Sequence, residues 1–133
     1  MFINRLVNQG NIPILQEVAS FTGARHELIA ENVANISTPG YRQKDLDTRS
    51  FYANLQDRVR ARRTAATASV RFDDIEYSEV DDRQNLLFHD GNNRSTEQLM
   101  ADLARNALMY NLSVELLRKQ FGSIQNALKE RVS

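Results

Sequence analysis

The sequence predicts a mainly α-helical fold: long N- and C-terminal helices pair as an antiparallel coiled coil or small bundle around an irregular middle segment. Three observations lead there. An unbroken apolar heptad runs through the last third of the chain, and a periodic stretch opened by a proline fills the first third. The residues between them keep neither period. At 133 residues and 41% hydrophobic content, the chain suits a single domain, residues 1–133, with a single core.

The N-terminal helix is expected over residues 12–36. Asn11 stands at its cap position, and Pro13 falls in the first turn, where a missing N–H is tolerated. Its seam reads Leu15, Val18, Thr22, Arg25, Ile29, Asn32, Ile36. Arg25 and Asn32 are strongly polar seam residues; such residues in a coiled-coil seam fix register and partner number and lower stability. Thr38-Pro39-Gly40-Tyr41 then places proline and glycine where a type II turn prefers them, so the helix must end there. Asn32 and Asn35 stand near that end, where their amides can bond to neighbouring helices or to the turn.

Residues 37–95 are expected to hold the turn, a short helix and an irregular middle. Asp47 can cap the short helix, which would carry Phe51, Leu55 and Val59 on one face. A basic run follows (Arg58, Arg60, Arg62, Arg63), then six acids between Asp73 and Asp82. These two blocks suit a contact between a basic patch on one copy and an acidic patch on the next. Val70 and Phe72 alternate as in a short strand or hairpin. Little other regular structure is expected from Thr64 to Arg94.

The C-terminal coiled-coil helix is expected over residues 96–130, with Ser95 and Gln98 at capping-box spacing. Met100, Leu103, Ala107, Tyr110, Val114, Leu117, Phe121, Ile124 and Leu128 form its seam. Leu108, Leu112 and Leu116, with Met109 beside them, make a second apolar row on another face. One partner helix covers one seam, so two apolar faces imply burial on two sides, in a bundle or an assembly. The ends of an isolated chain are accordingly expected to be partly disordered until assembly.

Several function classes find no support in the residues. Seventeen basic and seventeen acidic side chains cancel, which gives no field for nucleic acid. The chain has no cysteine, and its two histidines, His26 and His89, lack partners at metal-ligand spacing. His89 beside Asp90 has the composition of an acid–base dyad, but a turn residue before Gly91 is the commoner meaning of that pair. No phosphate loop, nucleophile elbow or zinc-protease motif occurs. Neither an enzyme, a cofactor nor a small-molecule substrate is expected. No apolar run is long enough to span a membrane, and the N-terminus has no secretory apolar core.

The stretch Asn32-Val33-Ala34-Asn35, Ile36-Ser37, Thr38-Pro39-Gly40-Tyr41 resembles the N-terminal signature of the bacterial flagellar rod and hook axial proteins. One departure is Ile36, where a small residue is usual. "RQKDLD" after the turn, "HDGNN" before the last helix and the short chain resemble the proximal rod subunits within that superfamily. Arg94-Ser95 stands where a valine–aspartate pair is usual.

The resemblance implies a structural subunit whose terminal helices pair and stack with other copies. Leu15, Val18, Ile29, Leu103, Tyr110, Val114, Leu117, Phe121, Ile124 and Leu128 would mediate helix–helix assembly. It further implies self and other rod subunits, the inner-membrane ring with its adaptor, and the flagellar type III export apparatus as partners. The location would be the basal-body rod on the periplasmic side of the inner membrane, reached without a cleaved signal. Phe2 and Leu6 match a short export motif of early axial subunits. Two other readings compete: another rod subunit of the superfamily, and a soluble helical scaffold or adaptor that binds one partner through its C-terminal helix.

Overall fold

The computed structural model describes residues 10–64, 70–81 and 92–132, and the account below concerns these. Helix α1 spans Ile12–Ala34. Strand β1 (Lys44–Leu46), helix α2 (Thr48–Thr64), strand β2 (Glu79–Asp81) and helix α3 (Asn92–Val132) follow in order. Mainly helical architecture with long, mutually packed terminal helices is what the two periodic stretches predict.

Pro13 sits in the first turn of α1, as expected, but Asn11 makes no side-chain cap bond; its carbonyl accepts from the Leu15 N–H at 2.9 Å. The helix ends two residues short of the expected boundary. Asn35 closes it twice over, its backbone N–H and its side-chain amide both donating to the Glu31 carbonyl at 3.0 and 2.9 Å. The Tyr41 N–H then bonds the Thr38 carbonyl at 3.2 Å across the turn, and Gly40 takes φ +76°. A Cβ at Gly40 would meet no atom within 4 Å, so the backbone angle alone requires glycine there.

Asp47 caps α2 as the sequence suggests. Its carboxylate accepts from the Ser50 N–H at 3.0 Å and from the Ser50 hydroxyl at 2.7 Å. Those bonds, the backbone one first, hold its carboxyl below the ordinary aspartate range. Phe51 and Leu55 are buried and Val59 is packed beside them, the face expected from their spacing.

The core lies between α1, α2 and the segment from Val70 to Tyr77 and is built on aromatic rings. Phe21 and Phe51 stack with centroids 3.8 Å apart and planes within 3° of parallel. Tyr77 meets both rings edge-on. Leu46, Leu55, Phe72 and Ile75 complete the cluster. Val70 and Phe72 form no strand. The two strands lie elsewhere, β1 against β2 antiparallel with Lys44 opposite Asp81 and Leu46 opposite Glu79.

Helix α3 packs on the other side of α1. Thr22 meets Asn106, and Arg25, one turn further along α1, feels the charge of Asp102, one turn earlier on α3, so the pair is antiparallel. The 23 residues of α1 span ~35 Å and the 41 of α3 ~60 Å. In this register α1 reaches only to about Leu116 of α3.

The seam of α3 is displaced from the expected one. Leu99, Asn106 and Ser113 are its deepest residues, one position before Met100, Ala107 and Val114. Hydrophobicity alone misplaces the line because two of the three buried residues are polar. Both are satisfied by backbone: Asn106 donates to the Thr22 carbonyl at 2.7 Å and Ser113 to the Met109 carbonyl at 2.8 Å.

Candidate functional site

Three features of the described surface bear on function: a polar clamp at the end of α1, a polar helix–helix seam, and an apolar row on the outside of α3. The clamp centres on Asn32, 2% exposed. Its amide treats β1 as a neighbouring strand would, with Nδ2 donating to the Lys44 carbonyl at 2.6 Å and Oδ1 accepting from the Lys44 N–H at 3.1 Å. The Tyr41 hydroxyl donates to the same Oδ1 at 3.2 Å. One side chain thus holds both the turn and the strand against the helix that precedes them.

Arg25 acts two turns earlier on α1. Its guanidinium grips the Asp45 carboxylate with two bonds, at 2.8 and 2.7 Å, and this pairing is the main cause holding Arg25 above its ordinary pKa. Arg25 and Asn32 therefore do not fix coiled-coil register across α1 and α3, the role their seam positions suggested. They bind β1, because the chain folds back at the turn and presents strand backbone and a carboxylate to them. Register between the long helices is carried instead by the buried Asn106–Thr22 bond, with Gly23 admitting Tyr110 close by.

Of the signature residues, Asn32 and Asn35 bond as described and Val33 and Tyr41 are half-buried. Ala34, Thr38, Pro39 and Gly40 are exposed. Among the residues expected at helix–helix contacts, Ile29 is buried. Leu15, Val18, Leu103, Val114, Leu117, Ile124 and Leu128 are half-buried, and Val18 packs into the aromatic core. Tyr110 and Phe121 are 41% and 45% exposed. Phe2, Leu6, His89 and Asp90 lie outside the described residues.

Half of the basic run is drawn inward, while Arg60 and Arg63 stay exposed. Arg58 pairs with Asp74 at 3.1 Å, and Arg62 donates to the Gly10 carbonyl and covers the Phe72 ring. Among the described residues, no cluster of three His, Cys, Asp or Glu side chains could hold a metal ion, and no helix is long and apolar enough to cross a membrane.

The outer row of α3 is the exception to internal pairing. Leu108 is 70% exposed, Leu112 52%, and Leu116 and Met109 about as exposed as each other at 40% and 41%. At 100° per residue, this row points away from the line of Leu99, Asn106 and Ser113. Adjacent leucines on one helix face form a contiguous apolar patch, the kind of surface that marks contact with another protein.

Comparison with known proteins agrees. The chain is 27% identical over 126 residues to the flagellar basal body rod protein FlgB of Bacillus subtilis, covering 90% of this chain and 93% of that one. It is 28% identical over 127 residues to FlgB of Salmonella typhimurium, covering 86% and 89%. The chain is thus similar to FlgB-type flagellar rod proteins over most of its length. FlgB of Escherichia coli is 25% identical over the same share, 86% of this chain and 89% of that one. No family model and no solved structure matches the chain. The likeness to FlgB supports a structural component of the flagellar basal body rod, and it extends over most of each relative's length.

Proposed function

We propose that this chain is a structural, self-assembling subunit of the proximal flagellar rod, needed for motility. It joins the inner-membrane ring and its adaptor to the rod subunits above, on the periplasmic side of the inner membrane beside the type III export apparatus. Its contribution is packing rather than catalysis.

The outward leucine row is the observation that carries this reading. A helix that has already buried one face against α1 still presents three leucines to water on the other. Fully burying each would contribute about 1.5–3 kcal/mol, a gain that a lone chain forgoes and an assembly collects. Similarity to FlgB proteins over most of the chain supports the rod as the assembly.

Deleting the gene in its bacterial host, with electron microscopy of purified basal bodies and swimming assays, tests the proposal. Rings without a rod, and no swimming until the wild-type chain is restored, are expected. Complete rods and normal swimming in the deletion strain would contradict it.

A further inference from the structure

The face that α3 turns toward α1 does not stop where α1 stops. Leu117, Phe121, Ile124 and Leu128 continue the line of Leu99, Asn106 and Ser113, all within about 40° of one another at 100° per residue. Helix α1 begins at Ile12, level with about Leu116, so this apolar tail runs ~17 Å past it. Helix α2 packs on the opposite flank of α1 and does not reach the tail. Even so, Ile124 and Leu128 are half-buried. On the same helix the outward Leu108 and Leu112 are 70% and 52% exposed, which is what α3 by itself leaves to a leucine. Neither α1 nor α2 supplies the cover that the tail has.

Two other segments of the chain are poorly placed or poorly equipped to supply it. Residues 82–91 enter α3 at its opposite end, and residues 65–69 (Ala-Ala-Thr-Ala-Ser) carry no large apolar side chain. Residues 1–9 have both the place and the side chains. They join α1 at Gly10, whose carbonyl accepts from Arg62 at 2.9 Å, and Ile12 just after it is 1% exposed. Nine residues cover ~14 Å as a helix and up to ~30 Å extended, a length that suits the tail. At helical spacing Phe2, Ile3, Leu6 and Val7 fall on one side, with Asn4, Arg5, Asn8 and Gln9 on the other.

We infer that residues 1–9 run on from α1 along the tail of α3 in the same chain and close its apolar face. The register that sets Thr22 opposite Asn106 then brings Leu6 beside Phe121, and Phe2 between Ile124 and Leu128. This goes beyond the rod-subunit reading and does not depend on it. The contact is a strap. It holds within one chain a face that another chain would otherwise take, and it steadies a stretch of α3 that is too short to be firmly helical on its own in water.

The absence of cysteine makes the test clean. Full-length Leu6→Cys/Phe121→Cys and Leu6→Cys/Ser123→Cys are treated in dilute solution with a short bifunctional thiol reagent. Phe121 and Ser123 lie at nearly one height on α3, but Ser123 is on the far side of the helix. Links within one chain should form at least tenfold faster in the first pair. In parallel, hydrogen exchange compares the wild type with Phe2→Ser/Leu6→Ser. Amides from Leu117 to Leu128 should exchange at least tenfold faster in the variant, with those of α1 and α2 unchanged. Equal linking in the two pairs, or links mainly between chains, overturns the inference. So does a tail that exchanges alike in both proteins, as it would if the chain ends gained order only on assembly. None of these results touches the rod reading.

Discussion

The two flanks of α1 are built on opposite principles. Toward α2 and the Val70–Tyr77 segment, the contact is aromatic, closely stacked and complete within one chain. Toward α3, the deepest positions include an asparagine, a serine and a threonine, and the far side of α3 is left greasy and wet. The first flank is the interior of a domain. The second has the anatomy of a shared interface: polar contacts that specify which helix meets which, and apolar surface held in reserve. A polar seam is the weaker glue and the better selector, since a misregistered partner would leave the Asn106 amide buried without its carbonyl.

Mutations sharpen that contrast. Phe51→Ala should have the largest effect, since it removes a ring stacked at 3.8 Å in the dry flank. A loss of about 3–5 kcal/mol in unfolding free energy is expected by denaturant titration. Asn32→Leu keeps the volume but abandons the Lys44 N–H and carbonyl, and about 2–4 kcal/mol should be lost. Hydrogen exchange would show that loss as faster exchange at β1 with α1 still protected. Gly40→Val forces a β-branched residue to φ +76° and should lower stability by about 1–2 kcal/mol, with the helices intact by circular dichroism.

Glu17→Gln should act in the other direction and least of all. Burial and the neighbouring Asp73 and Asp74 raise the Glu17 carboxyl, so the folded chain is penalised for holding it charged. That penalty is fully present above the raised folded pKa. It fades as the pH falls toward and below the ordinary glutamate value, where both folded and unfolded chains are protonated. The variant should therefore melt slightly higher than the wild type at neutral pH and at the same temperature near pH 3. A higher melting point that persisted in acid would assign the effect to something other than charge.

How legible the chain is in sequence follows the same division. Helical period alone places α1, α2 and α3, because each buries a face whose spacing is local, and Asp47 and the Thr38–Tyr41 turn announce themselves by residue type. The strands do not. Lys44–Leu46 and Glu79–Asp81 are three residues each, mostly charged, and paired across more than thirty positions, so no local pattern marks them. Asn32 is an oddity on a helix by sequence, but its partner is a backbone that arrives only once the chain has turned. Hydrophobicity places the α3 seam one residue late for a related reason. Asn106 and Ser113 are buried because carbonyls await them, and hydrophobicity does not report that.

The central claim is that the outer leucine row belongs to an interface between chains. Sedimentation across a concentration series, on the wild type and on Leu108→Ser/Leu112→Ser/Leu116→Ser, tests it most directly. The wild type should pass from monomer to larger species as concentration rises. The triple variant should stay monomeric, with a thermal midpoint and helicity close to those of the wild-type monomer. A wild type that remains monomeric throughout, or a variant that associates as readily, would contradict the claim.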